Sequence, residues 1–278
     1  LNVKSGGTIM DSIKSIINYI NRKYGYDPIL LIKTNPLNIK KIKNPSLKVQ
    51  IEAVKRDGRA IKYIQNPSLK VQIEAVRQSP DILKHIQEPS EEVQLEAVRH
   101  RGFAIKHIKN PSETLKLEAV KYCCYAIKHI EKPSEELQLI AVKQDGTAIK
   151  YIKEPTQIAQ LEAIRKNPDA IKHIKNPSIK AQLEAVKLNK SVLIYIKNPS
   201  IKAQLEAVKQ CGTIIYLIKN PCEEVQLAAI HNNVEAIKDI KNPTPKVQVE
   251  VVKRKPQLIK RIKNPCEEAK IIAKIGGL

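Results

Sequence analysis

An all-α solenoid of about ten 22-residue, two-helix repeats, with a capping helix at each end, is the fold this sequence predicts. Three observations predict it. Proline recurs at Pro45, Pro67, Pro89, Pro111, Pro133, Pro155, Pro177, Pro199, Pro221, Pro243 and Pro265, always 22 residues apart and without insertion. The intervening residues follow one consensus, N-P-S-x-x-V-Q-L-E-A-V-K-x-x-G-x-A-I-K-x-I-K, and NPSIKAQLEAVK stands at both 176–187 and 198–209, which reads as recent duplication. Hydrophobic residues make up 42% of the chain but aromatics only 4%, with no Trp and one Phe (Phe103), so packing must rest on Ile, Leu, Val and Ala.

Residues 1–9 read as disordered or untranslated, because S-G-G-T-I-M is what a ribosome-binding site ahead of a start codon at Met10 would encode. Residues 10–44 form the N-terminal cap: an amphipathic helix over 10–23, then a degenerate unit that starts at Asp27-Pro28 and joins the phase at Pro36. Ten repeats occupy residues 45–264. In each, Asn (Asn44, Asn66, Asn110) is expected as the N-cap of helix A, with Pro at the first helical position, where a missing N–H costs nothing. Glu at N3, as in Asn110–Glu113, Asn220–Glu223 and Asn264–Glu267, would complete a capping box. Helix A runs through strong helix formers such as Gln50, Glu52, Ala53 and Lys55. A loop of variable sequence follows, carrying Gly (Gly58, Gly102, Gly146, Gly212) as a helix stop or Pro (Pro36, Pro80, Pro168, Pro256) as a helix start. Helix B is about two turns long, with apolar pairs at i and i+3: Ile61/Ile64, Leu83/Ile86, Ile105/Ile108. Residues 265–278 form the C-terminal cap helix, where the repeat pattern breaks at Lys274 and Gly276-Gly277 stop the helix.

A β reading competes, since V-Q-I-E-A-V alternates and 22 residues is also a leucine-rich-repeat length. The recurring Ala (Ala53, Ala75, Ala97), the Glu and Lys content and the cap residues favour helix, and the L-x-L-x-x-N strand signature is absent. On helix A, Val49, Ile51, Ala53 and Val54 spread over about 200° at 100° per residue. Stacked repeats cover such an arc from both flanks. Gln50, Gln72, Gln94, Gln138, Gln160, Gln182, Gln204, Gln226 and Gln248 fall in the middle of that arc. They are expected to be partly buried and hydrogen-bonded between repeats, fixing the register.

The units EEVQLEAVRHRGFAIKHI (91–108) and EELQLIAVKQDGTAIKYI (135–152) resemble short α-solenoid repeats of bacterial and phage proteins of unknown function, and are similar in plan to HEAT-like and leucine-rich-variant repeats. The resemblance covers residues 28–278 and implies an architecture but no activity. The 22-residue unit is about half the usual HEAT length, so curvature does not carry over.

Basic residues number 49 against 28 acidic, a formal charge of +21. Much of the excess falls on helix B. One row is Lys40, Lys62, Lys84, Lys106, Lys128, Lys150, Lys172, Lys238 and Lys260; a second, three residues on, is Lys43, Lys109, Lys153, Lys175, Lys197, Lys219, Lys241 and Lys263. Residues three apart share a helical side, so stacking turns these into two parallel rows. A basic row on helix A (Lys55, Arg77, Arg99, Lys121, Lys143, Arg165, Lys187, Lys209, Lys253) can be offset by Glu three residues earlier (Glu52, Glu74, Glu96, Glu118), whereas helix B has almost no such compensation, only Glu131 in the second row. Two readings of the helix-B rows stand: ordinary solvation that keeps solenoids apart, or a track for a polyanion, most simply nucleic acid held through its phosphates. Lys rather than Arg suits phosphate contact better than base reading. The alternative partner is an acidic protein surface, with the rows serving solubility.

Between the Lys rows runs a third: Tyr63, His85, His107, His129, Tyr151, His173 and Tyr195. Residues one repeat apart are too distant to share a zinc, whose ligands lie about 4 Å from one another. Rings beside lysines can stack on bases; equally, they can be amphipathic rings leaning on neighbours. If the row faces a polyanion, binding should depend on pH. The variable inter-helix loops, such as Tyr122-Cys123-Cys124-Tyr125, could read one base per repeat or be unconstrained. Gly-rich phosphate loops are missing, and no Ser finds a His or Asp partner by spacing, so the chain reads as a non-enzyme without cofactor or metal. Five Cys without metal spacing suggest reduced thiols in the cytoplasm. Cys222 and Cys266 replace Ser near helix starts, where a thiol could ionise more readily; Ser-to-Cys drift is the simpler account. No apolar run is long enough for a bilayer and no signal peptide is visible, so the expectation is a monomer without membrane attachment.

Overall fold

The computed structural model describes residues 27–276. The predicted cap helix over 10–23, residues 1–9 and Gly277 lie outside them. The described residues are helical with no strand, and they fall into two compact units, one ending at Cys123 and the other beginning at Cys124. Each unit is a stack of the predicted repeats. The first opens with the short helix Pro28–Thr34 and a tight turn of helix, Pro36–Lys41, and continues through A helices such as Leu47–Arg56 and Glu91–His100 and B helices such as Gly58–Tyr63 and Gly102–His107. The second runs from the B helix Cys124–His129 to the last A helix, Glu267–Gly276. Within each unit, A packs on the next A and B on the next B.

Helix A is ten residues long in every full repeat, as in Ile179–Leu188. It buries Val, Ala and Val or Ile along one side: Val49, Ala53 and Val54 in one repeat, Ala181, Ala185 and Val186 in another. The recurring Ala is fully buried because the small side chain lets neighbouring A helices approach. Helix B buries Ala60 and Ile61 in one repeat and Ala148 and Ile149 in another. Burying one such Ile contributes about 1.5–3 kcal/mol, repeated along the stack.

Three expectations are corrected. Helix B is not two α-turns but a six-residue 3₁₀ helix, as in Gly58–Tyr63, with Ile64 extended just beyond it and its N–H bonded to the Ile61 carbonyl at 3.0 Å. An i, i+3 apolar spacing is the 3₁₀ period, in which those side chains eclipse. The variable loop is likewise no loop. Arg56 ends helix A, Asp57 alone joins the two, and Gly58 already opens helix B. Asp57 accepts the Arg59 N–H at 2.9 Å, and Asp145, Asn167 and Asn233 do the same for their own B helices. Gly58 and Gly102 are therefore not helix stops; they permit close approach. A Cβ at Gly102 would stand 2.5 Å from the Ala119 carbonyl oxygen of the next A helix, and one at Gly58 2.7 Å from that of Ala75.

The third correction concerns the entry to helix A. Ser, not Asn, is the N-cap. The Ser112 hydroxyl accepts the Leu115 N–H at 3.3 Å, and Ser90, Ser134, Ser178 and Ser200 act alike. Serine stands directly beside the free N–H groups of the first turn, so the helix begins after it. The Asn110–Glu113 capping box does not form, and Glu113 pairs with Lys116 at 2.7 Å instead. Asn, freed from capping, takes one of two backbone states. At Asn44, Asn66, Glu88, Asn110, Lys132 and Asn220, φ is positive, between 44° and 50°. In the other five turns, the Gln of the preceding repeat reaches across: its Oε1 accepts the N–H of Thr156, Ser178, Ser200, Thr244 or Cys266 at 2.7–3.1 Å. No turn has both. The bridging residues Gln138, Gln160, Gln182, Gln226 and Gln248 are the five buried glutamines. Each also donates through Nε2 to the Pro carbonyl of its own repeat, as Gln182 does to Pro177 at 3.1 Å. The glutamine ladder between repeats thus exists in part of the second unit; Gln50, Gln72 and Gln94 of the first unit and Gln204 of the second make only the bond to their own Pro carbonyl.

Candidate nucleic-acid interface

The first Lys row occupies the fifth position of the B helices. Lys62, Lys84 and Lys106 in the first unit, and Lys128, Lys150 and Lys172 in the second, are all exposed. The second row lies in the extended segment after each B helix: Lys109 in the first unit and Lys153, Lys175 and Lys197 in the second, again exposed. The ring row is the last B-helix position. His85 and His129 are exposed, Tyr151 is half-buried, and the side chain of His107 is mostly buried.

Stacking brings the lysine of one B helix over the ring of the next. Lys40 Nζ lies 5.8 Å from the Tyr63 ring centre, Lys128 5.8 Å from Tyr151, and Lys172 5.9 Å from Tyr195. Lys150 stands 4.8 Å from its neighbour Tyr151 and 5.8 Å from Tyr125. The two tyrosines meet edge to face, with centres 5.8 Å apart at 77°, a geometry that aromatic pairs favour. Tyr125 was not singled out by its sequence position. Its hydroxyl donates to the Asp145 carboxylate, which holds that carboxyl below its usual range and pushes the Tyr125 phenol up. The only sequence signal was the presence of Tyr at both 125 and 151.

The charge on helix B is less uniform than expected. Asp81, at the start of a B helix, takes Arg101 at 2.7 Å, Lys106 at 3.5 Å and His107 at 3.3 Å from the next repeat. Burial opposes its ionisation, but the His107 hydrogen bond and the Arg101 and Lys106 charges win, and its carboxyl titrates below the usual range. Lys106 and His107 are thus partly neutralised. Lys62, Lys84, Lys128, Lys150, Lys172, Lys109, Lys153, Lys175 and Lys197 make no salt bridge to any described carboxylate. On helix A the compensation runs both within a helix, as expected for Arg77 with Glu74 at 3.5 Å and Lys121 with Glu118 at 3.6 Å, and between repeats, where Arg77 meets Glu96 at 2.6 Å, Arg99 meets Glu118 at 3.1 Å and Arg165 meets Glu184 at 3.3 Å. Two rings in the B-helix row feel the lysines. Burial, then Lys62, Lys84 and His107, lowers the pKa of His85 below the usual 6.5, and burial with Lys172 and Lys150 does the same for His173.

Among the described residues, no three His, Cys, Asp or Glu side chains gather as metal ligands, and no helix is long and apolar enough to cross a membrane. Cys222 is an exposed N-cap whose side chain makes no capping bond. No family model matches the chain, and no curated protein or solved structure is similar enough to count as a relative.

Proposed function

We propose that the chain is a non-enzymatic α-solenoid scaffold that binds a polyanion, most simply the phosphate backbone of nucleic acid, along the Lys rows of its B helices. In this reading it acts as a monomer without cofactor in the cytoplasm, and its kin are the short solenoid repeats of bacterial and phage proteins. One contrast carries the reading. On helix A, Arg77, Arg99 and Arg165 are answered by Glu of the next repeat, whereas Lys128, Lys150 and Lys172 on the B helices make no salt bridge to a described carboxylate. Self-repelling charge of one sign along a row costs stability and is relieved by a ligand that brings the opposite charge in a row. Lysine suits this task because it meets phosphate as a point charge and does not demand bidentate geometry.

Charge reversal tests it. Lys128→Glu, Lys150→Glu and Lys172→Glu together should weaken binding of a labelled oligonucleotide by at least a hundredfold at low salt, on the order of 1 kcal/mol per phosphate contact. Arg77→Glu, Arg99→Glu and Arg165→Glu on helix A should change it far less. Equal losses from the two sets would sink the assignment to helix B. A complex with an acidic protein that persists at high salt would move the Lys rows to the other partner class.

A further inference from the structure

In the second unit the first Lys row is interrupted at two consecutive repeats. Where the others carry Lys, the B helix Lys190–Tyr195 carries Ile194 and the B helix Gly212–Leu217 carries Tyr216. Neither substitute is tucked away: Ile194 is 63% exposed and Tyr216 66%, and the adjacent Tyr195 is 49% exposed. The second Lys row runs on beside the gap without a break, through the exposed Lys175, Lys197, Lys219 and Lys241. Lys172 Nζ sits 5.9 Å from the Tyr195 ring. Ile194, Lys197 and Lys219 line one groove between successive repeats, and Tyr216, Lys219 and Lys241 line the next.

Resting on the polyanion reading above, we propose that Ile194, Tyr195 and Tyr216 form a stacking platform for unpaired bases, so that the polyanion is single-stranded nucleic acid at this point of the track. A smooth polyanion or a duplex gains nothing from exposed apolar side chains in a basic row, because the base faces of a duplex are stacked on one another. A single strand offers both halves of the match: phosphates for Lys172, Lys197, Lys219 and Lys241, and flat apolar faces for the rings. Such stacking tolerates any base, since every base has a π-face. Asp239 shares the groove with Tyr216 and takes the ring-row position of its repeat, so phosphates in this groove are left to Lys219 and Lys241 of the second row.

The test compares a labelled oligothymidylate with an abasic strand of the same length, and hence the same phosphate count, by fluorescence anisotropy on the full chain at low salt. The oligothymidylate should bind about tenfold or more tightly than the abasic strand, one stacked base being worth about that factor. Tyr195→Ala with Tyr216→Ala should bring oligothymidylate binding down to that of the abasic strand; both sites are exposed, and circular dichroism verifies the fold. Ile194→Lys with Tyr216→Lys, which completes the row, should tighten abasic binding while lowering the preference. Equal binding of the two strands by the unaltered protein, both salt-sensitive, overturns the platform and leaves the polyanion track standing. Absence of binding by either strand at low salt removes the parent reading as well. Tighter binding of a Phe-containing acidic peptide than of oligothymidylate overturns the proposal in favour of a protein partner.

Discussion

Lys150 is held between two tyrosine rings, and His173 lies close to both Lys150 and Lys172. The proximity has a consequence for pH. In the free protein, burial and then the two lysines keep His173 neutral at pH values where an ordinary imidazole has begun to protonate, and His85 behaves likewise near Lys62, Lys84 and His107. A polyanion on the row neutralises those lysines and adds its own negative field, so the imidazole pKa rises on binding. Binding then takes up protons, and affinity must increase as pH falls from neutrality through the range below 6.5. Dissociation constants measured from pH 7.5 to 5.5 at constant ionic strength should show this trend, and His85→Gln with His173→Gln should flatten it. An affinity that is level with pH in the unaltered protein would mean that the ring row faces away from the ligand. Neither histidine enters the argument as a metal ligand, because each belongs to a different repeat.

The repeat-to-repeat turn is the element where one sequence supports two structures. With Asn in the left-handed region, the turn does without the neighbouring glutamine; with the glutamine bridging, the backbone stays out of that region. A non-Gly residue at positive φ costs roughly 1–2 kcal/mol, least for Asn, so Glu88 and Lys132 carry the larger strain. Gln182 makes both of its bonds while buried, to the Pro177 carbonyl and from the Ser200 N–H. Replacing it with Leu should therefore cost about 1–3 kcal/mol, the penalty for leaving buried partners unmet. Gln94→Leu, which loses only the bond to the Pro89 carbonyl, should cost less. Urea unfolding of the two variants gives the comparison directly. Equal destabilisation would mean that the cross-repeat bond contributes nothing to stacking.

At the scale of the whole molecule, the 22-residue phase made the architecture legible before any coordinates, because an uninterrupted period admits only a stack of equal units. The A-helix core was legible too: Ala53, Ala75 and Ala97 recur where helices touch, and all are fully buried. What stayed hidden has physical causes. Ile61 and Ile64 satisfy an α-helical and a 3₁₀ spacing equally well. Asn110 and Ser112 are both good caps, and only the Leu115 N–H donating to the Ser112 hydroxyl shows that the serine does the capping. Nothing in the sequence marks Asp81 as an ion-pair hub, because its partners Arg101, Lys106 and His107 lie 20 to 26 residues further on, in the next repeat. The two Lys rows were readable as rows; that Lys106 is ion-paired to Asp81 while Lys128, Lys150 and Lys172 make no salt bridge required the stacked geometry.

The claim that these lysines without ion pairs form a phosphate track is tested most directly by the salt dependence of binding. Labelled single- and double-stranded oligonucleotides are titrated with purified protein, freed of copurifying polyanion, across a salt series. Each phosphate neutralised contributes about −0.9 to the slope of log K against log salt for duplex and about −0.7 for a single strand. Engagement of Lys128, Lys150 and Lys172 with even part of the second row predicts a slope steeper than about −3 for duplex. A slope near zero, or no binding at low salt, would contradict the account and leave the Lys rows as solvation.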